Sequence, residues 1–155
     1  MTSEQRQVVE ELLDVMSGKL EVSAFDRILA KDLVLHLEGR AYAGAEGMKA
    51  FLTFARRRVP GLSIVCSRIV DNDDGTLTIL GHWTGERDGR RVRSAEVAAT
   101  YRIAGGAVVE VWTKRSNYEF FCRRLTRSRA GFWLLSAWMV IAYRLGGSRS
   151  AARAC

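Results

Sequence analysis

The sequence contains two histidines, and histidine is the side chain that most readily exchanges protons near neutral pH. His36 lies in a stretch where apolar and polar residues alternate, and Glu96 and Glu110 lie in two later stretches of the same kind. His82 directly precedes Trp83, so within a strand one of these two side chains faces inward. Imidazoles and carboxylates catalyse proton transfer together only if they face one cavity. Whether these side chains face a pocket therefore decides whether they could act together.

Strand alternation divides the candidates into two sets, because successive side chains point to opposite faces of a sheet. The first set is mostly apolar, and we expect it to face the helices and a pocket. Its site candidates are Leu35, Leu37, Arg93, Val97, Ala99, Tyr101, Val111, Thr113 and Arg115. The second set, expected on the outer face, includes His36, Glu96, Glu110 and Trp112. A register slipped by one residue would reverse the assignment. The alternative site is therefore His36, His82, Glu96 and Glu110.

The spacing of apolar residues changes from helical to alternating along the chain. Helical spacing predicts a first helix ending at Gly18, a short second helix and a third helix stopped by Pro60. Alternation predicts strands over 32–38, 62–70, 76–84, 90–103 and 107–115. Short turns separate the last four strands, so we expect them to be antiparallel. The sequence therefore predicts an α+β fold, with N-terminal helices packed on one face of a curved antiparallel sheet.

Charge and cysteine content exclude several classes of protein. The net charge is +7, but residues 1–121 contain equal numbers of basic and acidic residues, and the excess of arginines lies after residue 121. A neutral body argues against a nucleic-acid groove. The three cysteines are scattered without metal-ligand spacing or a disulfide pattern, and the N-terminus begins with a polar helix. We expect a cytoplasmic protein with no metal and no nucleic-acid partner.

Three segments, 32–52, 82–92 and 101–112, resemble the nuclear transport factor 2-like superfamily, and within it the SnoaL-like (polyketide cyclase-like) group. The resemblance covers residues 1–121 and implies a cone-shaped sheet with a deep pocket. The superfamily includes polyketide cyclases, ketosteroid isomerases, epoxide hydrolases and non-catalytic binding proteins. The fold alone does not choose among these functions.

Placing this sequence on the family pattern assigns the usual catalytic acid–base positions to Leu37, Ala99 and Thr113, and the isomerase's helix tyrosine to a position near Leu12. None of these side chains exchanges protons readily near neutral pH. The resemblance therefore implies either a different set of catalytic residues or binding without reaction.

We expect Tyr101 and Arg115 to be the catalytic residues of such a different set, with Tyr101 donating a proton and Arg115 stabilising charge on oxygen. Trp83 would stack on the ligand. The alternative is that Tyr101 lies in the core with its hydroxyl satisfied, while Arg93 and Arg115 lie at the pocket rim. No cofactor is expected.

Residues 122–155 form a second segment, which we expect to be an arginine-flanked apolar helix with a disordered end. Its stretch 130–143 is uncharged. As a helix it would be about 21 Å long, too short for a hydrocarbon core of roughly 30 Å. The segment would pack on its own sheet, cross to a partner subunit, or lie at a membrane surface through residues 123–144.

The leading hypothesis is a cofactor-independent cyclase- or isomerase-like enzyme, a homodimer, acting on a hydrophobic polyketide- or isoprenoid-type metabolite. The alternative is a non-catalytic lipid or small-molecule carrier, peripheral to the membrane through its tail. An epoxide hydrolase-like site is less favoured, because the inward set contains no carboxylate to activate water.

Overall fold

The computed structural model describes residues 1–37, 40–114 and Ile141. The predicted C-terminal segment 122–155 and the candidate Arg115 therefore lie, Ile141 apart, outside the described residues. The helices are α1 (Ser3–Ser17), a 3₁₀ turn (Val22–Ala24), α2 (Phe25–Ile28) and α3 (Ala45–Arg58). The strands are β1 (Leu29–Leu37), β2 (Arg40–Ala43), β3 (Ser63–Asp71), β4 (Thr76–Arg87), β5 (Arg90–Arg93), β6 (Val97–Ala104) and β7 (Ala107–Thr113).

Helix α1 begins and ends where its sequence predicts. Thr2 and Gln5 form a reciprocal capping box, in which each side chain accepts a hydrogen bond from the other residue's backbone N–H. Gly18 ends the helix with φ 87°, a left-handed conformation that glycine adopts without steric cost. The face between these ends buries Val9 and Leu12 against the sheet. Burial of this apolar face stabilises the helix in its place over the strands.

The strands form one seven-stranded sheet in the order β2-β1-β7-β6-β4-β3, with β5 paired to the end of β4. The predicted α+β class, with N-terminal helices packed on a curved sheet, is confirmed. The sheet is mixed, because β1 pairs with β7 in parallel while the other pairs are antiparallel. Strand β2 was not predicted. The predicted strand 90–103 is two strands, since residues 94–96 leave the ladder.

The helix-facing side of the sheet carries the core. Leu33 and Leu35 of β1 are at most 1% exposed, and Tyr101 and Val111 of the neighbouring strands are also buried. A register shift in the β6–β7 ladder places Val108 in this core, where strict alternation from Val111 would place Val109. Alternation thus assigns the faces correctly except where the ladder is irregular.

Within the part of the chain that the structure describes, no helix combines the length and the apolar character needed to cross a bilayer.

Candidate functional site

An apolar cavity lies between the helices and the inner face of the sheet. Its volume is about 70 Å³. Pockets for drug-sized ligands usually measure about 300–1,000 Å³. The cavity thus accommodates only part of such a ligand unless side chains move. It is lined by Met16, Phe25, Leu35, Met48, Phe51, Leu52, Ile64, Ile79, Trp83, Val97, Ala99, Tyr101, Val111 and Thr113.

The cavity has a buried floor and a more exposed mouth. Leu35, Tyr101 and Val111 at its floor are buried, whereas Val97 and Thr113 are only half-buried. Val97 begins β6 and Thr113 ends β7, so both lie at the same end of the sheet. We call this the mouth end. A ligand that enters at the mouth end would therefore move along the strands, from the ends of β4 and β7 toward Tyr101.

The polar groups that face the cavity are few. Among the described residues, its lining contains no charged side chain and no histidine. Tyr101 and Thr113 supply hydroxyls, and Trp83 supplies an indole. Tyr101 is opposite Val111, and Thr113 is opposite Ala99, in the β6–β7 ladder, so both hydroxyl-bearing side chains lie on one face of neighbouring strands. An arrangement of this kind can orient an oxygen-bearing apolar molecule and disfavours an unpaired buried charge.

The predicted inward set is largely brought together. Leu35, Trp83, Val97, Ala99, Tyr101, Val111 and Thr113 line the cavity. Leu37 is opposite Thr113 but is not among the lining residues. Arg93 is placed on the outer face, because it pairs with Thr84 and its Nη2 lies 3.1 Å from Nδ1 of His82. The break between β5 and β6 explains this placement, since alternation counted through residues 94–96 assigns Arg93 to the wrong side.

The alternative acid–base set does not converge in the cavity. His36 stacks on Trp112 with ring centroids 4.9 Å apart, and its Nε2 lies 3.6 Å from Oε2 of Glu110. The guanidinium group of Arg102 lies over the Trp112 ring, 5.4 Å from its centroid. These side chains alternate with the cavity-lining residues of β1, β6 and β7, so they lie on the outer face. Glu96 is exposed and is also absent from the lining.

His82 is the buried histidine of the outer face. It is 9% exposed, and Arg93 donates a hydrogen bond to its Nδ1. Burial lowers the pKa of His82, the positive charge of Arg93 lowers it further, and Glu96 opposes the shift. The neutral imidazole is thus favoured at neutral pH, as its role as hydrogen-bond acceptor requires.

The helices supply cavity residues that the strand-based reasoning missed. Met16 comes from the end of α1, Phe25 from α2, and Met48, Phe51 and Leu52 from α3. The apolar spacing that predicts these helices was the available signal, but it does not distinguish a core face from a cavity wall. The two methionines are flexible, so they allow the cavity to change its shape around a ligand.

Within residues 1–37 and 40–114, no group of three or more histidine, cysteine or carboxylate side chains is arranged to hold a metal ion.

The SnoaL-like domain model matches residues 9–111, and the chain therefore belongs to the SnoaL-like family, which has the nuclear transport factor 2-like fold. No curated protein sequence matches the chain significantly. The likeness to solved structures extends over most of each compared chain but is distant in sequence.

A SnoaL-like protein from Jannaschia sp. CCS1, assigned as a polyketide cyclase, has a TM-score of 0.58 and 17% identity, and covers 71% of this chain and 83% of its own. IdmH from Streptomyces antibioticus, also assigned as a polyketide cyclase, has a TM-score of 0.60 and 18% identity. The match covers 72% of this chain and 91% of IdmH. An LEH-like epoxide hydrolase from M. tuberculosis has a TM-score of 0.59 and 20% identity. The match covers 80% of this chain and 93% of the hydrolase. At these identities the likeness establishes the fold.

Proposed function

We propose that this protein holds an uncharged, largely apolar small molecule in the cavity and promotes its cyclisation or isomerisation without a cofactor. The observation that carries the proposal is an apolar lining in which, among the described residues, Tyr101 and Thr113 supply hydroxyls and Trp83 supplies an indole. Apolar surface that leaves water on binding contributes roughly 25 cal/mol per Å², so shape and burial supply the affinity. A polyketide- or isoprenoid-type metabolite fits this description.

The proposed chemistry depends on confinement and on Tyr101. Folding a flexible apolar chain against the floor brings its reacting atoms together, which removes much of the entropic barrier to ring closure. Tyr101 is 4% exposed and lies at the floor, where a hydroxyl stabilises developing charge on a carbonyl oxygen more effectively than in water. Arg115, the second proposed catalytic residue, stays a prediction from the sequence.

The binding part of the proposal is tested by two neighbouring alanines. Ala99 lines the cavity, whereas Ala98 is exposed on the outer face of the same strand. We expect Ala99→Phe to fill the cavity and to weaken binding of the uncharged dye N-phenyl-1-naphthylamine at least about tenfold. Ala98→Phe is the matched control and should leave binding unchanged. Fluorescence titration measures both, and equal affinities would disprove binding at this cavity.

The catalytic part is tested by Tyr101→Phe, which removes one oxygen and keeps the ring. On a substrate found by screening linear polyketones and isoprenoids, we expect kcat to fall about a hundredfold. Dye affinity should stay at the wild-type value, which separates loss of chemistry from loss of the cavity. Unchanged turnover in Tyr101→Phe and in Arg115→Ala would reject both residues as catalytic.

A non-catalytic carrier is the second candidate. It is favoured by the lack of any charged or imidazole side chain in the described lining, since such groups perform most proton transfers in enzymes. Native mass spectrometry that detects an unmodified lipid bound to the purified protein, with no turnover of the screened compounds, would favour the carrier. Homodimer formation, membrane contact through residues 123–144 and a cytoplasmic location stay predictions.

A further inference from the structure

Arginines from two separate elements meet at the mouth end of the domain. Helix α3 ends with Arg56, Arg57 and Arg58, and β3 begins a few residues later. The β4–β5 hairpin carries Arg90 and Arg91 beyond the last pair of β4 with β6. Because β3 is antiparallel to β4, the start of β3 and the end of β4 lie at the same end of the sheet. The topology therefore places both groups beside the mouth.

Direct contacts join the helix end to the hairpin. Pro60 accepts a hydrogen bond from the backbone N–H of Glu86, at 2.8 Å. Val59 packs on Gly85 so closely that a Cβ on this glycine would lie 2.4 Å from Cγ1 of Val59. The end of α3 and the hairpin are thus held together, so their arginines lie at the same end of the domain, although Arg90 and Arg91, as successive strand residues, point to opposite faces of the hairpin. We call Arg57, Arg58, Arg90 and Arg91 the arginine surface.

The arginine surface is exposed, and no salt bridge between the described residues neutralises its charges. All four side chains are exposed. Within the described ranges none of them forms a salt bridge, although Arg58 lies 5.4 Å from the centroid of the Phe54 ring. Three other cations of the described residues are paired: Lys19 with Asp14, Arg27 with Glu11, and Lys49 with Asp26 and Glu46. Only Glu86 and Asp88 add negative charge within the hairpin.

The opposite end of the sheet carries acidic residues. The turn between β3 and β4 exposes Asp73 and Asp74, near Arg102, while Asp71 at the end of β3 pairs with the N-terminal ammonium group of Met1. A domain with negative charge at one end and positive charge at the other aligns in an external field. Near a negatively charged surface, the mouth end would therefore point toward that surface.

The chain outside the described residues also begins at the mouth end. Strand β7 ends at Thr113, and Lys114 after it is exposed. The sequence that follows contains no acidic residue after Glu119, and it includes Arg123, Arg124 and the uncharged stretch 130–143. This composition is typical of segments that bind anionic membranes. The segment follows Lys114, which lies at the mouth end together with the arginine surface.

We propose that the arginine surface docks the domain, mouth first, on an anionic phospholipid membrane. Guanidinium groups bind phosphate oxygens in a two-pronged geometry, and a lipid surface offers many such groups at once. The four arginines come from two elements and are exposed, so they fit an extended surface better than one free phosphate. The docking itself is independent of the proposed function. The further idea that the membrane supplies the apolar ligand does rest on the proposed function.

The test uses the full chain and vesicles of 30 mol% phosphatidylglycerol in phosphatidylcholine, with pure phosphatidylcholine vesicles for comparison. The triple variant Arg57→Gln, Arg90→Gln, Arg91→Gln removes three of the four charges and retains the Arg58 contact with Phe54. We expect cosedimentation with the anionic vesicles to weaken at least about tenfold, because each basic group near the surface contributes separately. Raising the salt concentration should weaken binding of the wild-type chain.

The matched control removes the same charge elsewhere. Arg6, Lys31 and Arg68 are exposed and, among the described residues, take part in no salt bridge. Substituting all three by Gln should change vesicle binding less than about twofold. Equal losses in the two triple variants would show that only net charge matters, and would overturn docking through this surface.

Three further results would overturn the proposal. They are wild-type binding by the arginine triple variant, equal binding of the wild-type chain to pure phosphatidylcholine vesicles, and release from anionic vesicles by 10 mM inorganic phosphate at matched ionic strength. The last would indicate a site for free phosphate. Arginine-dependent vesicle binding combined with an Ala99→Phe variant that still takes up the dye would support docking and reject the proposed function. The two failures are thus distinguishable.

Discussion

The two faces of the sheet carry different chemistry, although their residues alternate along the same strands. Ala99 and Tyr101 face the cavity, while Thr100 and Arg102 between them face outward. The residue types associated with catalysis, such as His36 and Glu110, are on the outer face, and the cavity contains hydroxyls and apolar groups. A histidine near a carboxylate is therefore not evidence of an active site until its face is known. In this protein such a pair lies on the outer face of the sheet.

The largest difference between the faces should be in stability. Leu33 is fully buried in the core, and Val34 beside it is half-buried on the outer face. We expect Leu33→Ala to lower the free energy of unfolding by about 2–5 kcal/mol, because it removes buried methyl groups and leaves a void. Val34→Ala should cost about 1 kcal/mol. Urea denaturation followed by circular dichroism measures both, and equal losses would contradict the assignment of the faces.

The second test concerns pH and the buried histidine of the outer face. The pKa of His82 is lowered in the folded chain, so the unfolded chain binds a proton more readily. The contribution of the neutral imidazole is therefore present above the unfolded pKa of about 6.5 and is lost as the pH falls below it. We expect the wild-type chain to lose more stability than His82→Gln between pH 7 and pH 5. Thermal melting at each pH compares the two chains. Parallel curves of stability against pH would show that His82 does not contribute to the pH dependence.

The smallest effect should come from the exposed part of the outer face. His36→Ala removes the ring that stacks on Trp112. We expect a loss of about 0.5–1 kcal/mol in stability, typical of an aromatic pair. Affinity for N-phenyl-1-naphthylamine should not change, since His36 does not line the cavity. Weaker dye binding in this variant would show that the outer face and the cavity are coupled.

The sequence predicted the fold class and most strand-borne lining residues because alternation and turn chemistry are local properties. It did not predict the parallel pairing of β1 with β7, which joins residues distant in sequence. Arg93 was misplaced because alternation cannot be counted across the break after β5. The helix-borne residues Met48 and Phe51 were not recognised as cavity residues, because helical spacing identifies a buried face without identifying what covers it.

Strand β7 lies between the first strand and β6, and it is the last strand described. Until residues 107–113 have left the ribosome, β1 and β6 have no shared neighbour and both present unpaired backbone groups. Sheet assembly must therefore wait for β7, so the described part of the domain completes its fold only after residues 107–113 are made. A chain that stops before β7 leaves two open strand edges, and we expect it to aggregate.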